Sequence, residues 1–290
     1  MLKTSRSLAI GVRLVAAGLL ASLAASCAAP PPTGRFADPS YGIERSNDLG
    51  YGTATDENGE PEQLRLDLFR PINADGPRPA IVFIHSGAFT GGVKSEQDSM
   101  ATDFAARGYV TATITYRVRE GAWIWFNTPS GIALDAARDA RHDAQAAVRY
   151  LRANSDLYGI DAGRIAAAGY SAGAITAIGV GQHPEDPGNS GNAGPSSAVC
   201  LAVSLSGIAV EGEIEANDAD IVMFHGGDDF IVPTAYARGS AMRAAKAGHL
   251  LGYHEFPGVG HGLPYQRTPE IMPTLIKVLR DRLANGAPCA

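Results

Sequence analysis

The sequence predicts an α/β protein with a mostly parallel sheet and helices on both faces. Three observations carry that expectation. Strand-like and helix-like segments alternate through the chain beyond its first 60 or so residues. The central strand candidates are continuous apolar runs, the pattern of parallel strands buried on both faces. A short apolar run, Arg164–Ala168, enters Gly169-Tyr170-Ser171-Ala172-Gly173 and leaves as a helical pattern from Ala174.

Taken in order, Gln63–Arg70 alternates apolar and polar residues, as a strand near a sheet edge does. Ala80–His85 is a β-branched run, and Ser95–Arg107 reads as a helix closed by Gly108. Tyr109–Tyr116 is the next strand. Ile132–Asn154 is a long helix with Ala133, Ala136, Ala140, Ala147, Val148 and Leu151 along one stripe. Arg164–Gly169, Ala198–Leu205, Asp220–His225 and Leu250–Phe256 complete the strands. Pro233–Ala247, closed by Gly248, and Pro269–Leu283 are the last helices. Gln182–Ser196, rich in Pro, Gly and Asn, reads as a solvated, mobile loop. The connection from Gly207 to Ala219 is short, so little or no cap is expected over the sheet.

The N-terminus carries Lys3, Arg6 and Arg13 before an apolar stretch, Leu14–Ala25, too short to span a bilayer comfortably. Small residues then precede Cys27, as in a bacterial lipobox, where the cysteine becomes the lipidated first residue; cleavage as an ordinary signal peptide is the alternative. The expected organisation is a signal peptide over 1–27, a Pro-rich tether over 28–40 and a catalytic domain over 41–290. Either form of cleavage implies export, with membrane attachment only through a lipid on Cys27. Residues 1–27 hold three of the 24 Lys and Arg and none of the 30 acids. The remainder is therefore strongly acidic, which argues against nucleic acid as a partner. Of the other cysteines, Cys200 opens a strand candidate and Cys289 follows the last helix. A disulfide between them, or two free thiols, both fit an exported chain.

Glycines on both sides of Ser171 suit a turn too sharp for side chains, which lifts the hydroxyl clear and aims a helix N-terminus at it. A serine hydroxyl needs a base, the base needs an orienting acid, and the developing oxyanion needs preorganised donors. His225-Gly226-Gly227-Asp228-Asp229-Phe230-Ile231-Val232-Pro233 resembles the H-G-x-x-D-x-x-V-P segment of α/β-hydrolase esterases, a resemblance that implies Asp229 as the acid, with Asp228 as the neighbouring alternative. In Pro257-Gly258-Val259-Gly260-His261-Gly262 the base is His261. His85 and His225, at strand ends, read as structural hydrogen-bonders. No histidine has metal-ligand spacing, so neither a metal nor another cofactor is expected.

These segments, in the order Ser, Asp, His, resemble the α/β-hydrolase serine esterases of the carboxylesterase and hormone-sensitive-lipase type. His85-Ser86-Gly87-Ala88-Phe89 resembles their H-G-G-G-[FW] signature, with Ser86 and Ala88 standing where glycines are usual. Arg107-Gly108-Tyr109-Val110, Tyr116-Arg117 and Asp143–Leu151 extend the likeness over roughly residues 63–285. The resemblance implies an α/β-hydrolase fold and an oxyanion hole made by the N–H groups of Gly87, Ala88 and Ala172. It implies a carboxylesterase acting on short acyl esters, including acetyl or aryl esters of polysaccharide. Trp123, Trp125 and Phe126, between the strand ending at Tyr116 and the long helix, are candidates to line a substrate pocket. Two other readings share the same residues: an exported peptidase of prolyl-oligopeptidase type, and an inactive binding lipoprotein of the envelope. The oligomeric state is not legible.

Overall fold

The structure is a computed structural model that describes residues 33–122, 131–184, 186 and 188–289. Among the described residues eight strands form one sheet: β1 (Ile43–Thr55), β2 (Pro61–Pro71), β3 (Arg78–Ile84), β4 (Val110–Ile114), β5 (Ile160–Tyr170), β6 (Leu201–Leu205), β7 (Asp220–Gly226) and β8 (Leu250–Phe256). Their spatial order is β1-β2-β4-β3-β5-β6-β7-β8. β1 pairs antiparallel with β2, and β2 with β4; every other pairing is parallel. β3 and β4 are buried at every position, as the apolar and β-branched run of β4, and that of β3 after Arg78, dictates.

The helices are α1 (Asp98–Ala106), led in by a 3-10 turn at Lys94–Gln97, then α2 (Gly131–Ala153), α3 (Ser155–Tyr158), α4 (Ala172–Gln182), α5 (Thr234–Ala247), α6 (Leu263–Gln266) and α7 (Thr268–Val278), which continues into a π-helical turn at Leu279–Ala284. The expected single helix from Pro269 to Leu283 is thus two differently wound pieces. On one sheet face, apolar side chains of α2, α4 and α5 pack in a common core. On the other, α1 and α7 contribute Phe104, Ile271 and Leu275 to a second core. The alanine stripe of α2 is buried throughout, from Ala133 to Leu151. Among the described residues no helix lies between β6 and β7, so nothing there forms a cap.

Three features depart from the sequence expectations. First, β1 had no counterpart there, because its sequence, IERSNDLGYGTAT, is polar at most positions and half-exposed as an edge strand. Second, the domain begins inside the expected 28–40 tether. Phe36 and Ala37 are buried, the Phe36 ring lying 5.0 Å from Tyr109 with the Arg78 guanidinium 5.3 Å from its centroid. One aromatic with a cation and a ring to pack against outweighs a Pro- and Gly-rich surrounding. Third, the loop after α4 is tied down. Ser190 is fully buried on Asp143, Arg149 donates to the carbonyls of Gly191 and Asn192, and the Asn192 amide donates to the carbonyls of Tyr51 and Ala146. Ser190, which reads as solvated, is here a partner of a buried ion pair, Arg117–Asp143 at 2.8 Å. Cys27 and the signal segment lie outside the described residues.

Cys200 and Cys289 are disulfide-bonded, with a Cα–Cα distance of 5.1 Å. The bond ties the C-terminus to the start of β6, at the sheet end opposite Ser171, and the Cys289 N–H donates to Gly163 O at 3.0 Å. It closes a loop with a sequence separation of 89. Cys289→Ala is expected to lower stability by about 2–4 kcal/mol, since the open chain regains loop entropy in its unfolded state. Urea unfolding with and without the substitution measures this. Activity should be unchanged, and an unaltered unfolding midpoint would contradict the expectation.

Candidate active site

Ser171 stands between the end of β5 and the first residue of α4, with φ 56° and ψ −119°. That conformation is unfavourable for a side-chain-bearing residue, by roughly 1–3 kcal/mol, and is held by its surroundings. The Ser171 N–H donates to Leu205 O at 2.9 Å. The flanking glycines are required by contact. A Cβ on Gly169 would sit 2.3 Å from the Gly173 backbone, and one on Gly173 would sit 2.2 Å from Ile84 O. The first turn of α4 therefore presses on the end of β3, and the loop that follows β3 runs beside Ser171.

His261 lies in the loop after β8. Its Nε2 is 2.8 Å from Ser171 Oγ, and its Nδ1 is 2.8 Å from Asp229 Oδ2. Asp229 follows β7 and is buried; its Oδ1 accepts the N–H groups of Ile231 (3.0 Å) and Val232 (2.9 Å). Asp228 is exposed, and its N–H donates to Val259 O at 2.9 Å. The side chain of the alternative acid therefore points to solvent while its backbone holds the His261 loop. Gly226 permits this closeness, because a Cβ there would lie 2.4 Å from both Val259 O and Gly260 O. His225 is fully buried, donates from Nε2 to Val232 O at 2.9 Å, and is kept neutral by burial, which pushes its pKa down. It steadies the turn that carries Asp229.

The His261 carbonyl receives two hydroxyls, Tyr170 Oη at 3.1 Å and Ser206 Oγ at 3.3 Å. Tyr170 and Ser206 escaped sequence reasoning. The signal available was position: each sits at the carboxyl end of a central strand, where side chains reach the site loops. Ser206 is buried and has φ 55°, a second strained serine beside the first.

In the loop after β3, Gly87 has φ 113°, Ala88 54° and Phe89 63°. A Cβ on Gly87 would lie 2.0 Å from Gly91 O, so only glycine fits. Ala88 occupies the left-handed region at a cost of about 1–2 kcal/mol. Among the described residues neither the Gly87 nor the Ala88 N–H has an acceptor within the chain. The Ala172 N–H, at the first position of α4, has no intrahelical acceptor either. Ser86, in place of a usual glycine, donates its hydroxyl to Glu96 Oε2 at 2.7 Å. A cavity of about 360 Å³ opens between α1 and α7 beside Tyr170, with Leu205, Tyr265, Met100, Met272 and Glu96 in its wall. Trp123, Trp125 and Phe126 lie outside the described residues.

A BD-FAE family model matches residues 66–193. The isoprenylcysteine alpha-carbonyl methylesterase of Arabidopsis thaliana is 32% identical over 116 residues, 40% of this chain and 24% of its own length. Esterase LipC of Mycobacterium tuberculosis is 26% identical over 247 residues, 70% of this chain and 57% of its own length. The chain thus spans between a quarter and just over half of these relatives. Among solved structures, esterase 2 of Thermogutta terrifontis phosphorylated by paraoxon superposes with a TM-score of 0.67 at 22% identity, covering 83% of this chain and 94% of that one. The same esterase with butyrate bound gives a TM-score of 0.67 at 21% identity, covering 86% and 96%. The chain thus has the α/β-hydrolase fold, and the proteins it resembles are named esterases.

Proposed function

We propose that the protein is a serine carboxylesterase that hydrolyses short-chain acyl esters, including acetyl or aryl esters of polysaccharide, through an acyl-enzyme intermediate. The observation that carries this is the unbroken line from Ser171 Oγ to His261 Nε2 and from His261 Nδ1 to Asp229, each step 2.8 Å. Ser171 Oγ attacks the ester carbonyl carbon as Nε2 takes its proton. Buried Asp229 holds the imidazole with its proton on Nδ1 and stabilises the imidazolium that forms. The carbonyl oxygen becomes an oxyanion and accepts the N–H groups of Gly87, Ala88 and Ala172. Collapse breaks the bond to the alcohol, which leaves with the proton from Nε2. Water, activated by the same nitrogen, then releases the acid and restores Ser171.

A p-nitrophenyl ester series from acetate to palmitate tests this reading. Among the described residues nothing between β6 and β7 forms a cap over the site, which favours short acyl chains. Activity is expected to be highest on acetate to butyrate and to fall by at least about tenfold for palmitate, whose long chain gains none of the ~0.8 kcal/mol per methylene that burial in a deep acyl pocket would give and is left in water. No hydrolysis of any ester, or a maximum at palmitate, would reject it.

A further inference from the structure

We infer that Tyr116 is a positioning residue that aims the Gly87 N–H into the oxyanion hole, an inference that rests on the esterase reading above. Tyr116 lies just beyond β4 and is buried. Its hydroxyl sits 3.1 Å from His85 O and 3.1 Å from Ser86 O, the two carbonyls that open the loop after β3. The Ser86 carbonyl and the Gly87 N–H belong to one planar peptide and point in opposite directions. Holding that carbonyl therefore sets where the Gly87 N–H points. No other bond of the Gly87 N–H does so, because among the described residues it has no acceptor in the chain.

The ring of Tyr116 fixes the loop from both ends. It stacks on the His85 ring at 4.1 Å with an interplanar angle of 14°, and meets the Phe89 ring edge-on at 6.3 Å. His85 Nδ1 lies 2.6 Å from the same Ser86 carbonyl, so that oxygen is gripped by two side chains. Burial pushes the His85 pKa down and the Tyr116 pKa up, so the imidazole stays neutral and the phenol stays a donor. Gly92 makes the arrangement fit, since a Cβ there would lie 2.4 Å from His85 Nδ1. A backbone donor in a loop with three successive left-handed residues needs such bracing, because the loop has no ladder of its own.

Tyr116→Phe removes the hydroxyl and keeps the ring. The assay compares p-nitrophenyl acetate with its thionoester, whose sulfur is a poor hydrogen-bond acceptor. Losing one oxyanion donor outright costs about 10²–10³ in kcat, so a donor left present but misaimed should cost roughly 10- to 100-fold on the oxoester. KM should hardly move, and the thionoester should lose much less, so the oxo-to-thiono rate ratio falls. His85→Gln, which removes the ring donor to the same carbonyl, should lower that ratio as well and serves if Tyr116→Phe does not fold. Unchanged kcat, or equal losses on both substrates in both variants, would overturn the inference while leaving the esterase reading standing. A wild-type protein inactive on both substrates would instead reject the esterase reading itself.

Discussion

Ser171→Ala is expected to abolish ester hydrolysis, lowering kcat by on the order of 10⁶, the loss typical of removing a triad nucleophile. The fold should survive, because alanine keeps the Cβ that Ser171 already has and makes no new demand at φ 56°. The Ser171 N–H would still donate to Leu205 O. Two measurements check this: turnover of p-nitrophenyl acetate, and covalent labelling by a fluorophosphonate, which should vanish. A variant that keeps more than about a hundredth of the activity would remove Ser171 from its proposed role. An unchanged thermal midpoint separates loss of chemistry from loss of structure.

The second large effect is at Asp229. Asp229→Asn should lower kcat by roughly 10⁴, the loss seen when an amide holds the triad imidazole in the wrong tautomer. The geometry says why the amide would turn the wrong way. Asp229 Oδ1 accepts two backbone N–H groups, from Ile231 and Val232, so the carbonyl oxygen of an asparagine must stay there. Its NH₂ then faces His261 Nδ1 and forces that nitrogen to accept. The ring proton moves to Nε2, where it blocks removal of the Ser171 proton. Asp228→Asn serves as the contrast: its side chain is exposed, and activity should change by less than about threefold. The reverse ranking would transfer the acid's role to Asp228.

Much of this arrangement was legible in the chain before any coordinates. Strand and helix periodicities marked β2 to β8 and α1, α2, α4, α5 and α7, because alternating or continuous apolar strands and two-faced helices impose strong patterns. The Gly-x-Ser-x-Gly turn was legible because van der Waals contact forbids any other residue type at its flanks. What escaped shared one character. β1 is an edge strand whose pairing with β2 is satisfied by backbone, so its side chains carry little pattern. Phe36, Ser190 and Asn192 are buried by partners far away in sequence, Tyr109, Asp143 and Tyr51. Tyr170, Ser206 and Tyr116 act by donating to main-chain carbonyls, and a carbonyl has the same chemistry at every residue.

The sequence by itself determined the α/β class, the serine-bearing turn and the residue types gathered around it, since each follows from local sterics and periodicity. Only the tertiary structure decided between free thiols and the Cys200–Cys289 bond and where the domain begins, and only it shows Asp229 buried on His261 with Asp228 exposed. Adjacent carboxylates have identical chemistry until burial and hydrogen bonds part them. Two sulfurs with a sequence separation of 89 can meet only when the sheet brings the start of β6 to the C-terminus. Both choices depend on distances across the fold, and a linear pattern does not contain them.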